Sequence, residues 1–251
     1  IIGGVSYYIG DLNNTHFKNS QFSAGILYRY NINDRISLRI NYLYGSVRGD
    51  DSQSKDVNRV NRNLSFKSTI SELGAMIEIN YYSYKPGNRK DELFTTYIVA
   101  GFNYFKMNPK AQYLDVTYEL QPLNTEGQSL PGGPDRYSLD AFAIPLGLGA
   151  KVNLSKRISI SIEYSFRFTF TDYLDDVSTV YYFKDVLASE IGDISAELSD
   201  RRLNKENPAG IDGQGAGLQR GDSARNDWYG FAGIFLSFRI GKDPNSCAKW
   251  N

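Results

Sequence analysis

The sequence predicts an all-β fold, an eight-stranded up-and-down antiparallel transmembrane β-barrel with long extracellular loops and short periplasmic turns. Three observations predict it. The stretch from Arg157 to Thr171 alternates without a break: Ile158, Ile160, Ile162, Tyr164, Phe166, Phe168 and Phe170 take every second position, and Ser159, Ser161, Glu163, Ser165, Arg167 and Thr169 the others. Side chains of an extended chain point alternately to opposite faces, so one face is wholly apolar and the other is polar and charged. Seven further stretches read as strands, most of them alternating in the same way, and the connections between the eight run long, short, long, short, long, short, long. Bacterial barrels have short turns at one end, longer loops at the other, and an even number of strands. The chain is also 14% aromatic, as girdles at two membrane interfaces require.

In order, the expected strands begin with Ile2–Gly10, followed by a polar connection over 11–20. Gln21–Asn31 places Phe22, Ala24, Ile26, Tyr28 and Tyr30 on one face. The short turn at Asn33, Asp34 and Arg35 leads into Arg35–Gly45, with Ile36, Leu38, Ile40, Tyr42 and Tyr44 on the apolar side. Two alternating runs joined by so short a turn make a hairpin. A polar connection over 46–65 precedes Phe66–Tyr84, and Lys85–Leu93, which contains Pro-Gly, reads as a turn. Thr96–Lys106 follows, then a connection over 107–136 that carries Pro131-Gly-Gly-Pro134. Tyr137–Asn153 and the turn around Ser155 lead into the Arg157–Thr171 strand. The longest connection, 172–226, precedes Trp228–Gly241. Within it, Leu187, Ile191, Ile194 and Leu198 recur at helical spacing and predict a short amphipathic helix across Val186–Leu203. The barrel is expected over residues 1–241, with 242–251 as a periplasmic tail and both termini periplasmic.

Bulk properties agree. The 251 residues suffice for one barrel domain. The 28 basic and 28 acidic residues cancel, so no overall field favours nucleic acid. No apolar run is long enough for a membrane-crossing helix, which leaves strands as the means of crossing. The single cysteine, Cys247, cannot form an internal disulfide. Ile1 opens directly on a strand-like segment, as expected of a chain whose export signal has been removed.

Arg29, Arg39, Glu72, Glu78, Lys151, Glu163 and Arg167 all fall on polar faces and are expected inside the barrel. Charges of both signs can pair there, and an unpaired buried charge would be costly. An eight-stranded barrel is just wide enough for side chains to fill it, so the lumen reads as a packed polar core and not a pore.

Catalytic chemistry is sparse. His16 is the single histidine and lies in the first long connection, where no second histidine can join it in a nucleophile–base pair. No Cys/His spacing suggests a zinc site. Gly213-Gln-Gly-Ala-Gly217 precedes no helix, which leaves nucleotide binding unsupported. Asp172, Asp175 and Asp176 could offer oxygens to a hard cation, but solvated carboxylates or internal pairing is the plainer reading. No cofactor and no enzymatic activity are expected. Charge differs between the ends. The 172–226 connection carries about 11 acidic and 6 basic residues, whereas the short-turn side, with Arg35, Lys85, Arg89, Lys90, Lys156, Arg157, Lys242 and Lys249, sums to roughly +4. A basic rim there could meet lipid phosphates or an acidic partner.

Laid out this way, the chain resembles the PorG family of outer-membrane barrels of the type IX secretion system. The resemblance is carried by Gly10-Asp11-Leu12, Arg62-Asn63-Leu64-Ser65-Phe66, Asn108-Pro109-Lys110, Glu119 through Gln128, Ile144-Pro145-Leu146-Gly147, Thr171 through Thr179, and Asp227-Trp228-Tyr229. It does not extend over Leu203–Gly221 or the residues after Gly241. It implies a non-enzymatic role, tethering or positioning a periplasmic ring made of a lipoprotein and a soluble partner (PorK and PorN, or GldK and GldN). A partner in the periplasm would have to use the short turns, so Asn33, Asp34, Arg35, Lys85, Arg89, Lys90, Ser155, Lys156 and Arg157 are the expected contact residues. The alternative is a stand-alone outer-membrane barrel that grips a surface ligand or lipopolysaccharide through its outer loops.

Overall fold

The computed structural model describes residues 1–87, 92–204 and 216–240. Arg89, Lys90, the tail with Lys242, Cys247 and Lys249, and most of the Gly213–Gly217 segment lie outside them. The strands are β1 (Ile2–Ile9), β2 (Gln21–Asn31), β3 (Ile36–Asp50), β4 (Ser65–Asn80), β5 (Phe94–Tyr113), β6 (Val116–Glu119), β7 (Asp140–Asn153), β8 (Ile158–Thr169) and β9 (Trp228–Phe238). Among the described residues three short α-helices lie in the connections: α1 (Val57–Arg62), α2 (Lys184–Glu190) and α3 (Asp193–Ser199). β6 folds back on the end of β5 and stays outside the ring. The other eight strands pair antiparallel in sequence order, and β9 pairs with β1 from Trp228↔Ile9 to Phe235↔Ile2. The sheet therefore closes into an eight-stranded antiparallel barrel with no open edge.

The outer wall is apolar. Ile36, Leu38, Ile40, Tyr42 and Tyr44 on β3 are exposed, as are Leu73, Ile77 and Ile79 on β4, Ile98 and Phe102 on β5, and Phe142, Ile144, Leu146 and Leu148 on β7. A water-soluble protein does not surround itself with such a band. From Ile36 to Tyr44 the band runs roughly 27 Å along the strand at about 3.4 Å per residue, close to the ≈25 Å apolar height of membrane barrels once tilt is included. This is a membrane-spanning wall. Ile40 sits at its middle, paired with Tyr28 on β2 and Ala75 on β4. Ile40→Arg is expected to destabilise the folded barrel by about 2–4 kcal/mol, against roughly nothing for Ser46→Arg at the rim; denaturant titration in lipid vesicles measures both.

Past Tyr44 and Tyr104 the polarity of the strands inverts. On β3, Ser46 and Arg48 now face outward and Val47 inward; on β4, Lys67 faces outward and Phe66 and Ile70 inward; on β5, Lys106 and Lys110 face outward and Met107 and Ala111 inward. Water replaces lipid outside, and an apolar core replaces the polar lumen inside. This inversion explains two departures from the expected strand ends. β3 continues to Asp50 and β5 to Tyr113, beyond Gly45 and Lys106, because alternation persists after the apolar face has changed sides. β4 stops at Asn80, not Tyr84, because Tyr81–Tyr84 turn out of the ladder toward the Asp34 turn and Thr95: the Tyr84 amide donates to the Asp34 carbonyl at 2.9 Å, and Tyr82 to Thr95 Oγ1 at 3.0 Å. The single helix expected across Val186–Leu203 is two, α2 and α3, broken at Gly192, whose φ of 133° no helical residue adopts. Leu187, Ala196 and Leu198 still face inward.

Candidate functional site

The structure places polar chemistry at three levels: the lumen, the short-turn end and a cap over the long-loop end. In the lumen the seven charges form two clusters. Glu78 receives Arg29 at 2.9 Å, Lys151, and Arg39 Nη1 at 3.7 Å. Arg39 also grips Glu163 with both terminal nitrogens, at 2.6 and 3.0 Å, and Tyr97 donates to Glu163 at 3.0 Å. Higher in the barrel, Arg167 Nε reaches Glu72 at 3.0 Å, and Tyr229 donates to Glu72 at 2.7 Å. Between and beside them Ile2, Leu43, Phe231 and Phe235 fill the lumen, with Arg39 over the Phe235 ring and Arg167 over the Phe231 ring, both at 5.3 Å. Period-two reading brought these residues to one face, and the strand registers bring them together. Their arrangement is a set of mutually satisfied charges, the form in which buried charges are tolerated.

At the short-turn end the expected contact residues divide. Asn33 Oδ1 accepts the amides of Arg35 and Ile36, each at 2.8 Å, and Ser155 Oγ accepts those of Arg157 and Ile158. Both side chains are spent on forming their own turns, as Asx and Ser turns do. Asp34 pairs with Lys85 at 3.2 Å, in the open. Arg35, Lys156 and Arg157 are exposed and make no ion pair among the described residues. Tyr84 and Gly87 both donate to Asn153 Oδ1, at 2.7 and 3.0 Å, drawing the Lys85 turn over the barrel mouth. A cavity of about 320 Å³ remains there, lined by Arg29, Tyr84, Asn153, Arg157 and Arg239 among others.

The cap is the part that period-two reading did not find. The long connections fold onto the inverted ends of β3, β4 and β5 and bury an apolar core that includes Leu12, Phe66, Met107, Leu120, Leu174 and Leu198. Polar staples tie the connections together. Arg62 grips Asp51 at 2.7 and 2.9 Å and donates to the carbonyls of Asp11 and Arg220. Arg220 binds Glu126 at 2.9 Å, the Asp176 carbonyl at 2.5 Å and the Ser199 carbonyl at 3.2 Å. Glu126 also accepts the Ser178 amide and the Thr179 hydroxyl, while Asp176 accepts from Thr125 and Tyr137. Tyr8, at the top of β1, lies 2.5 Å from Asp175 Oδ2 and 2.7 Å from Asp227 Oδ1.

Asp172, Asp175 and Asp176 therefore do not converge. Asp175 turns to Tyr8 and Asp176 to Thr125 and Tyr137, and no group of three ligating side chains that could hold a metal exists among the described residues. Their chemistry is protonation. Tyr8 has one hydroxyl proton and two carboxylate neighbours, so one of the two contacts needs a proton on Asp175 or Asp227. Burial first, and then the negative charge of neighbouring carboxylates (Asp227 and Asp11 on Asp175, Asp172 and Asp11 on Asp227), hold both groups well above the usual carboxylate range. Burial also pushes Asp172 up to about 8 and, against the pull of Arg220, Asp176 up to about 6. A carboxyl whose pKa rises on folding stabilises the fold fully below its unfolded value near 4 and loses that contribution as pH climbs through the folded value. The cap is thus expected to loosen from about pH 4 upward, through pH 6 for Asp176 and pH 8 for Asp172. Amide exchange at Leu174 and Val177, corrected for its intrinsic pH dependence, should show protection falling from pH 5 to pH 9, and a flat profile would contradict this reading.

The middle of the first connection behaves differently: around His16 and Phe17 it lies on the outside of the barrel. His16 and Phe17 fold against outward-facing Tyr7 and Tyr164, with Phe17 stacked on Tyr164 at 5.6 Å between centroids. The Tyr7 and Tyr164 hydroxyls meet at 2.5 Å, and His16 Nδ1 lies 3.1 and 3.2 Å from them. Tyr7 can lie across β9 because its register partner is Gly230, where any Cβ would collide with the ring.

Closure, an apolar outer belt and a self-paired lumen define a membrane-spanning β-barrel of the outer-membrane type. The chain belongs to the family described as a domain of unknown function (DUF6089), whose profile matches residues 1–197. No curated protein sequence matches it. Among solved structures it is similar to Ail, the attachment invasion locus protein of Yersinia pestis, solved with the heparin analogue sucrose octasulfate (TM-score 0.41, 10% identity, 95% of this chain and 94% of that one covered). It is also similar to the N-terminal β-barrel domain of Pseudomonas aeruginosa OprF (0.36, 11%, 95% and 95%) and to Acinetobacter baumannii CarO (0.32, 10%, 95% and 97%).

Proposed function

We propose that this barrel is a non-enzymatic outer-membrane component of the type IX secretion system, as its resemblance to the PorG family implies. In this reading it holds the periplasmic ring of a lipoprotein and its soluble partner, of the PorK and PorN or GldK and GldN type, beneath the outer membrane. The observation that carries the reading is where the resembling segments lie. Gly10–Leu12, Arg62–Phe66, Glu119–Gln128, Thr171–Thr179 and Asp227–Tyr229 are far apart in sequence. In the structure they meet in one cap: Arg62 donates to the Asp11 carbonyl, Glu126 accepts from Ser178 and Thr179, the Leu174 amide donates to Asp227, and Leu12, Phe66, Leu120, Leu174 and Tyr229 share its apolar core. Five of the seven resembling segments thus share one three-dimensional unit, which supports the reading; Ile144–Gly147 lies on the outer wall.

The cap faces the cell exterior in this reading, and the short-turn end faces the ring. Arg35, Lys156 and Arg157 then offer exposed positive charge to an acidic ring surface, with Arg89 and Lys90 as further candidates outside the described residues. Charged rim contacts of this kind steer association and set its salt dependence. Reversing Lys156 and Arg157 to glutamate, together with Arg89 and Lys90, should release the ring from the purified barrel while leaving the barrel folded. Undiminished ring recovery would show that the contact is made elsewhere.

A further inference from the structure

Immediately above the apolar belt, the outward face of β3, β4 and β5 carries cations in a row. Arg48 is directly opposite Lys67, and Lys67 is directly opposite Lys110. Strands lie about 4.8 Å apart, so the three bases span roughly 10 Å. Lys106, four residues before Lys110, lies on the same face. Like charges directly opposite one another across a ladder repel, and a sheet ordinarily avoids them.

Local compensation is slight. Arg48 meets Asp50 at 3.1 Å, Lys110 meets Glu119 at 2.8 Å and Lys106 meets Asp140 at 3.4 Å, all in water-exposed positions where such pairs are weak. Lys67 makes no ion pair among the described residues. Position supplies the rest. Outward-facing Tyr44 lies level with Lys106 in the ladder and four residues, about 14 Å along the strand, below the row, with Tyr42 and Tyr104 further down. Tyrosines at the border of an apolar belt mark the membrane interface, so the cations stand at headgroup height. On β8 and β9, across the barrel, Phe168 and Trp228 meet edge-on at 4.6 Å between centroids, and among the described residues the outward positions of these strands carry no such row. The basic surface therefore belongs to one sector.

We propose that the Arg48–Lys67–Lys110 row docks the phosphate groups of lipopolysaccharide in the leaflet around the long-loop end. A single-phosphate lipid occupies one cation. A sugar headgroup bearing several phosphates spans the row, with the Arg48 guanidinium able to bind one of them bidentately and the lysines acting as point charges. The inference rests on the outward orientation of the cap given above, but not on the ring.

The test uses the full chain in nanodiscs of phosphatidylethanolamine doped with either lipopolysaccharide or phosphatidylglycerol, with bound lipid quantified by native mass spectrometry. The wild type should retain lipopolysaccharide in preference to phosphatidylglycerol. The triple variant Arg48→Ser, Lys67→Thr, Lys110→Gln, altered only at outward-facing positions, should lose it several-fold. A control with Arg35, Lys156 and Arg157 changed to serine, which removes the same charge from the other end, should retain it. Equal retention by the triple variant, equal loss in the control, or equal enrichment of phosphatidylglycerol would each overturn the proposal. Ring recovery with the triple variant should be unchanged, which separates this surface from the ring contact.

Discussion

Glu78→Gln should destabilise the barrel by about 3–5 kcal/mol, the cost of leaving buried charges without their partner. Glu78 is wholly buried, and Arg29, Arg39 and Lys151 all converge on it. With glutamine, these three cations would share only Glu163, which Arg39 already holds in a bidentate grip. Lys151 is buried and hemmed in by the Tyr84 and Tyr97 rings, at 4.8 and 5.0 Å. Denaturant titration in lipid vesicles should show the loss. Adding Lys151→Met should recover part of it, because the excess positive charge is removed and an apolar side chain of similar length fills the space. A loss below about 1 kcal/mol, the scale of an exposed pair, would mean that water reaches the cluster and that the lumen is not packed.

Arg220→Ala should open the cap and leave the barrel standing. Arg220 joins the third and fourth long connections by binding Glu126 and the carbonyls of Asp176 and Ser199, and Glu126 is itself buried. Without the guanidinium, Glu126 keeps its hydroxyl and amide donors but loses its cation, again a cost of about 3–5 kcal/mol. This cost falls on the cap, since no contact of Arg220 reaches the lumen. Protease cleavage within 172–226 and amide exchange at Val177 and Leu198 should rise sharply, while denaturant stability of the barrel stays within about 0.5 kcal/mol. Arg225→Ala is the control: Arg225 is exposed and pairs only loosely with Asp222 at 3.5 Å.

The barrel was legible in the sequence because its physics is local. A strand with lipid on one side and a polar lumen on the other must alternate, and Ile158 through Phe170 states that pattern in the chain itself. The same periodicity assigned Arg39, Glu78 and Glu163 to a common face. It could not pair them, since Arg39 and Glu163 are 124 residues apart and meet only through the stagger of the closed sheet. The ends of β3 and β5 were missed because the apolar side changes from outward to inward above the membrane. A search for apolar-out alternation stops at Tyr44 and Tyr104. The signal was nevertheless present as Val47, Met107 and Ala111 set between Arg48, Lys106 and Lys110.

The cap was illegible for a different reason. Its staples, such as Arg62 to Asp11 and Arg220 to Glu126, join connections that carry no periodicity. The resembling segments at strand–loop junctions marked Asp11, Arg62 and Glu126 but not Arg220, and without a topology they could not be assembled. At the short-turn end a local role lies beside the expected one. Asn33 and Ser155 drew attention as polar turn residues, and the structure uses both to hold the turn itself.

The most direct measurement of the proposed role is affinity purification of this barrel from gently solubilised membranes, with the co-purifying proteins identified by mass spectrometry. The account predicts recovery of a large periplasmic ring with its lipoprotein, retained by Arg220→Ala and lost on charge reversal at Lys156 and Arg157. A barrel recovered alone across several mild detergents, with its fold intact, would contradict the tether.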